Sequence, residues 1–89
     1  MKTHKKKIGV LLAKARKKSG LTQLQVSQHL GFTTAQQVSN IERDAAPVPF
    51  DTVVKLCKLY KLNKKQVIDA MLEDYKTRLN VEFKKGGAA

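Results

Sequence analysis

No acidic residue precedes Glu42, and only seven stand in the whole chain against eighteen lysines and arginines, a formal net charge of +11 over 89 residues. A field of one sign on so short a chain attracts polyanions, nucleic acid first and anionic membrane second. Cysteine is nearly missing as well. Cys57 alone closes no intramolecular disulfide and fits no zinc-ligand spacing. Its neighbours Val53, Val54, Leu56, Leu59 and Tyr60 mark it as a small buried hydrophobe. No apolar run approaches a membrane span or a signal-peptide core, so a soluble, cytoplasmic chain is expected. The sequence also lacks a glycine-rich phosphate loop, paired carboxylates in an apolar setting, and any Cys–His or Ser–His–Asp arrangement. His4 belongs to a basic terminal run, and His29 is expected on a surface, facing solvent or phosphate. No metal, no cofactor and no catalysis is expected. Both prolines, Pro47 and Pro49, fall in the stretch Asp44–Pro49, which must be a loop because neither can continue a helix.

What is present fits one domain with a single small core. Its centre is Leu21 to Arg43, two short helices joined by a tight turn. Thr22 offers an N-cap hydroxyl to the first. Leu21, Val26 and Leu30 recur near one face, out of step with Leu24, and Gly31 stops the helix by taking a positive φ cheaply. Thr34 with Gln37 three residues on has capping-box spacing and predicts the start of the second helix. In that helix only Val38 and Ile41 are strongly apolar, while Gln36, Ser39, Asn40 and Arg43 fall on the other side. So thin an apolar stripe gives the helix little hydrophobic reason to form unless its polar face is used. Gln36 and Asn40 lie four apart, and each carboxamide can pair with adenine through two bonds.

This stretch resembles the lambda-repressor-like helix-turn-helix family of phage repressors, Cro proteins and xenobiotic-response-element-type regulators. The resemblance rests on Gln23 opening the first motif helix, the small Ser27 four later, the turn glycine Gly31, the pair Val38 and Ile41, and Glu42 after it. It extends over flanking positions from Ile8 to about Leu62. One departure stands out: from Gly31 to Val38 the chain is one residue longer than the commonest pattern, so the turn or the helix start absorbs the extra residue. The resemblance implies an all-α, compact five-helix domain with its recognition helix, about residues 35–43, in the major groove of double-stranded DNA. Gln36, Gln37, Ser39 and Asn40 would then read bases. Thr22, Gln23, Thr33, Thr34, Arg43, Lys17 and Lys18 would hold phosphates. It further implies an architectural Arg16–Glu42 ion pair, a homodimer on a palindromic operator, and a bacterial or phage-type protein, nucleoid-associated when bound.

Along the rest of the chain, residues 1–7 form a basic arm, suited to phosphates, to a minor groove, or merely to solubility. Ile8–Ser19 predicts the first helix, with Ile8, Leu11, Leu12 and Ala15 inward and Lys14, Lys17 and Lys18 outside, ended by Gly20. In the family Asp44 stands where Gly or Asn is more usual. Phe50–Tyr60 predicts a fourth helix that closes the core with Phe50, Val53, Val54, Leu56, Cys57 and Tyr60. Asn63 then caps a fifth, from Lys64 to about Leu79, which completes a domain over residues 8–80. Residues 81–89 remain as a tail, in which Val81, Glu82 and Phe83 alternate like a short strand. Met71, Leu72, Tyr75, Leu79, Val81 and Phe83 lie beyond what so small a core can cover, and they predict the dimer interface. Two other functions fit the same residues. One is a protein-docking module, such as an antitoxin or bridging coactivator with a protein partner of unknown identity. The other is a non-specific nucleic-acid-binding protein driven by charge.

Overall fold

Lys7 opens the first of five helices in the computed structural model, which describes residues 7–44 and 47–86. They are α1 (Lys7–Lys18), α2 (Gln23–His29), α3 (Gln36–Glu42), α4 (Phe50–Leu59) and α5 (Lys64–Lys85), with no strand among the described residues. Residues 1–6 of the expected arm and residues 45–46 of the expected loop lie outside the described residues.

The core takes its centre from every helix. Leu12, Val26, Val38 and Leu56 are almost wholly buried, and Val67 of α5 joins them. Burying a side chain of this size is worth about 1.5–3 kcal/mol. The amphipathic stripes of α1, α2 and α3 thus meet on one another, while Leu24, out of step in the sequence, stays exposed. Two contacts join α1 to distant parts of the chain. Its first turn holds no acidic residue, and the carboxylate of Asp74 on α5 supplies the cap instead, accepting from the backbone N–H of Lys7 (2.7 Å) and Ile8 (2.9 Å). One residue on, Gly9 lies against the end of α3: a β-carbon there would stand 2.9 Å from the Glu42 carbonyl oxygen and 3.1 Å from that of Ile41. Only glycine lets the two helices approach this closely.

Four expectations require correction. The capping box at Thr34 and Gln37 does not form. α3 begins at Gln36, with Ala35 at the cap, so the Thr34 hydroxyl falls one place early and accepts from the Gln36 N–H at 3.3 Å. The box occurs on α2 instead, where Thr22 Oγ1 accepts from the Gln25 N–H and Gln25 Oε1 from the Thr22 N–H. Phe50 and Val54 do not close the core: they are 80% and 52% exposed. Val53, Leu56 and Tyr60 make the inward stripe, and Phe50, Val54 and Cys57 form a second one beside it, spaced four and three apart. Finally, α5 does not end near Leu79 and Val81–Phe83 is no strand. With neither Gly nor Pro before Gly86 to interrupt it, the helix continues through Lys85, about 33 Å in all. The boundary expected at residue 80 therefore falls inside a helix.

Candidate nucleic-acid interface

Between α2 and α3 the chain reverses through Gly31, whose φ of +92° is the left-handed conformation that glycine adopts without a β-carbon penalty. The Gly31 N–H donates to the Gln28 carbonyl (3.0 Å) and the Phe32 N–H to that of Ser27 (2.9 Å), which satisfies the last carbonyls of α2. Val38 and Ile41 then anchor α3 on the core by its inner side. The side chains left outside are Gln36, Gln37 and Arg43, all exposed, with Ser39 and Asn40 half-buried between them.

Behind α3 an ionic clamp sets its angle. Arg16 Nε and Nη2 donate to the two carboxylate oxygens of Glu42 at 2.7 and 3.1 Å, and Gln23 Nε2 donates to the same carboxylate at 3.0 Å. A further Arg16 N–H donates to the Leu21 carbonyl at 2.9 Å. The two charged side chains are only 10% and 7% exposed. So dry a bidentate pair ties α1, α2 and α3 together. The hydrogen bond that Arg16 donates to Glu42 holds the Arg16 pKa above its ordinary value, against the opposing effect of burial. Beside this pair Tyr60 is pushed up to about 12, first by burial of its hydroxyl and then by the Glu42 carboxylate, with Arg16 pulling the other way.

On the outer side the expected base-reading residues are joined. Gln36 Nε2 donates to Asn40 Oδ1 at 2.8 Å, Arg43 Nη2 donates to the same oxygen at 2.8 Å, and Arg43 Nε donates to Ser39 Oγ at 3.3 Å. Gln37 is exposed beside them without entering this network. Of the residues expected on phosphates, Thr22, Thr33, Thr34, Lys17 and Lys18 are exposed around the ends of α1, α2 and the turn. Gln23 is placed differently, its carboxamide turned inward onto Glu42. Asp44 follows α3 at φ +66°, a left-handed geometry that Gly adopts routinely and Asn or Asp occasionally. His29 is exposed, and no three His, Cys, Asp or Glu side chains cluster as metal ligands among the described residues.

The residues expected at a dimer interface divide. Leu72, Tyr75, Leu79 and Phe83 are 61%, 66%, 42% and 70% exposed along one side of α5. Met71 packs against the core instead. Val81 is exposed but stands nine residues from Leu72, half a turn round the helix. Ile68, together with Phe50 and Val54 of α4, takes their place beside a groove of about 660 Å³ between α4 and α5. Sequence reasoning missed three contributors. Gln25 was legible from its capping-box spacing to Thr22; Gly9 and Asp74 carry no local signal, since their partners lie more than thirty residues away.

No helix of the described residues is long and apolar enough to cross a membrane. A family profile described as helix-turn-helix matches residues 12–65, from the middle of α1 to the start of α5. No curated protein and no solved structure matches the chain.

Proposed function

Since the match spans more than half of the chain, the protein belongs to the lambda-repressor-like, Cro-type helix-turn-helix family of DNA-binding domains, and we propose that it is a sequence-specific transcriptional regulator of double-stranded DNA. The observation that carries this reading is the outer face of α3. Carboxamides, a hydroxyl and a guanidinium stand there in one bonded set, on a helix whose other side is held by Val38, Ile41 and the Arg16–Glu42 clamp. Groups that discriminate donors from acceptors are what the major groove rewards, because each base pair presents a different pattern there. Rigid support behind them gives the precision that such discrimination needs. Lys17, Lys18, Thr22, Thr33 and Thr34 contact phosphates around the groove, and the net charge of +11 adds affinity that does not depend on sequence.

One recognition helix reads too few base pairs to single out an operator from a genome. Two copies on half-sites about one helical turn apart overcome this. The α4–α5 face supports such pairing: Phe50 and Val54 on one helix and Ile68, Leu72 and Tyr75 on the other line one apolar groove, and Leu79 and Phe83 continue the same side of α5. Patches of this kind mark interfaces. Selection of bound duplexes from a random pool tests the functional reading. It should enrich one palindromic or near-palindromic site; a pool that stays random after repeated rounds would contradict it.

A further inference from the structure

We propose that Arg43 sets the base preference of α3 without reading a base itself: it fixes the polarity of the Asn40–Gln36 carboxamide pair, so that the pair accepts an adenine edge and refuses a guanine edge. This inference rests on the DNA-binding reading above and adds to it the chemistry that α3 recognises.

The polarity follows from charge. A guanidinium carries five N–H donors and no acceptor. The end of the Asn40 carboxamide that lies 2.8 Å from Arg43 Nη2 must therefore be its oxygen. That same oxygen lies 2.8 Å from the Gln36 carboxamide. A carboxamide oxygen only accepts, so Gln36 must present its amino end. Two side chains that are free to turn over in isolation are thus locked in sequence, from Arg43 to Asn40 to Gln36. Arg43 is placed for this by ending α3, from where its guanidinium reaches back over the last turn to Asn40 and Ser39.

What remains unused is one donor group, Asn40 Nδ2, and one acceptor, Gln36 Oε1; neither has a partner among the described residues. Adenine shows the major groove an acceptor, N7, beside a donor, the N6 amino group, whereas guanine shows two acceptors, N7 and O6. Asn40 Nδ2 can donate to N7 of either purine. Gln36 Oε1 then meets an N–H in adenine but another oxygen in guanine. A free carboxamide would escape that repulsion by turning over and donating to O6. Turning Gln36 over would set its oxygen against Asn40 Oδ1, and turning Asn40 over to relieve that contact would set its amino group against the guanidinium, so Arg43 prevents the turn. Discrimination against the wrong purine is thereby built into the unbound protein, as a repulsive contact as well as an attractive one.

The test uses the duplex enriched from the random pool. Loss of preference in Asn40→Ala locates the base pair concerned, and binding is then compared with A·T and G·C at that pair. The unaltered protein should favour adenine by about tenfold to a hundredfold, the discrimination typical of a good bidentate contact. Arg43→Gln puts a carboxamide of either polarity in place of the guanidinium, and it should bring the ratio to within about threefold of unity. A variant that weakens both duplexes equally, keeps the ratio and lowers the salt slope by about one would make Arg43 a phosphate anchor and overturn the inference. An enriched site with no adenine at the Asn40-dependent pair would overturn it as well. Circular dichroism establishes that Arg43→Gln is folded. The unaltered protein on a duplex whose adenine is replaced by purine, lacking only the amino group, gives an independent result: a loss of affinity is expected, and no loss contradicts the proposal. A pool with no preferred site fails the DNA-binding reading itself, an outcome distinct from a preferred site whose purine ratio ignores Arg43.

Discussion

Removing the Glu42 carboxylate should cost this domain a large share of its stability. Arg16 Nε and Nη2 and Gln23 Nε2 all donate to it, at 2.7, 3.1 and 3.0 Å, and the Arg16 side chain is only 10% exposed. In Glu42→Ala the guanidinium keeps its charge and its burial but retains only the bond to the Leu21 carbonyl. Stranding a buried charge in this way costs about 3–5 kcal/mol. A domain of this length is stable by roughly 4–13 kcal/mol, at about 0.05–0.15 kcal/mol per residue, so the loss amounts to about a fifth of the total at the least and the whole of it at the most. Urea unfolding followed by circular dichroism reads it as a lower midpoint at constant slope. Two companions isolate the cause. Arg16→Met with Glu42→Leu removes both charges and should recover most of the loss, because a packed apolar pair replaces a buried ion pair at little cost. Asp69→Ala removes a carboxylate from an exposed pair with Lys65 and should shift the midpoint little. A Glu42→Ala midpoint equal to that of Asp69→Ala would place the pair in solvent, and a double variant no better than the single one would show that the stranded charge is not the cause.

Three further outcomes are expected. Tyr60 holds its proton up to about 12 in the folded state against 10.0 for the ordinary group, so its contribution is complete below pH 10 and is lost as pH rises toward 12; the difference is worth at most about 3 kcal/mol, less any solvent screening. Tyr60→Phe should lose less stability than the unaltered protein between pH 8 and 11 in matched urea titrations, and nothing near neutrality, since the hydroxyl is buried with no hydrogen-bond partner among the described residues; equal alkaline losses would contradict this. Gly9→Ala should destabilise by about 1–3 kcal/mol, overcrowding outweighing the gain of roughly 1 kcal/mol in helix propensity, because the new β-carbon meets the Ile41 and Glu42 carbonyls; a raised thermal midpoint would show that α1 yields freely there. Sedimentation of the full chain should show a dimer that Leu72→Glu disperses and Val81→Glu leaves intact, the two positions lying on opposite sides of α5; a monomeric full chain at tens of micromolar, or the reverse ranking, would remove the α4–α5 face as an interface.

How far the sequence disclosed this depended on the range of the cause. Thr22, Gly20, Gly31 and Asn63 act within a few residues, and each marks a helix end where its chemistry places it. The inward residues of α1 to α3 were legible because 3.6-residue periodicity survives any tertiary arrangement. Phe50 and Val54 were misplaced for the opposite reason. Apolar character does not say whether the core has room for a residue, and α4 carries two adjacent apolar stripes with room in the core for one. At Val81–Phe83 three alternating residues outweighed the plainer fact that nothing interrupts α5 before Gly86. The cap from Asp74 to the start of α1 and the approach of Gly9 to α3 depend on three-dimensional contact alone. At the outer face of α3 the residue types were legible, but the direction of the hydrogen bonds among Gln36, Asn40 and Arg43 was not, because the sequence does not say which end of a carboxamide faces a neighbour.

Whether α3 reads bases is decided by Asn40→Ala. Affinity for the duplex enriched from the pool and for a random duplex of equal length should be measured at several salt concentrations. A loss of about 1–3 kcal/mol is expected on the enriched site, almost none on random DNA, and an unchanged salt slope. Equal losses on both duplexes would show that Asn40, and the face of α3 with it, holds DNA without reading it.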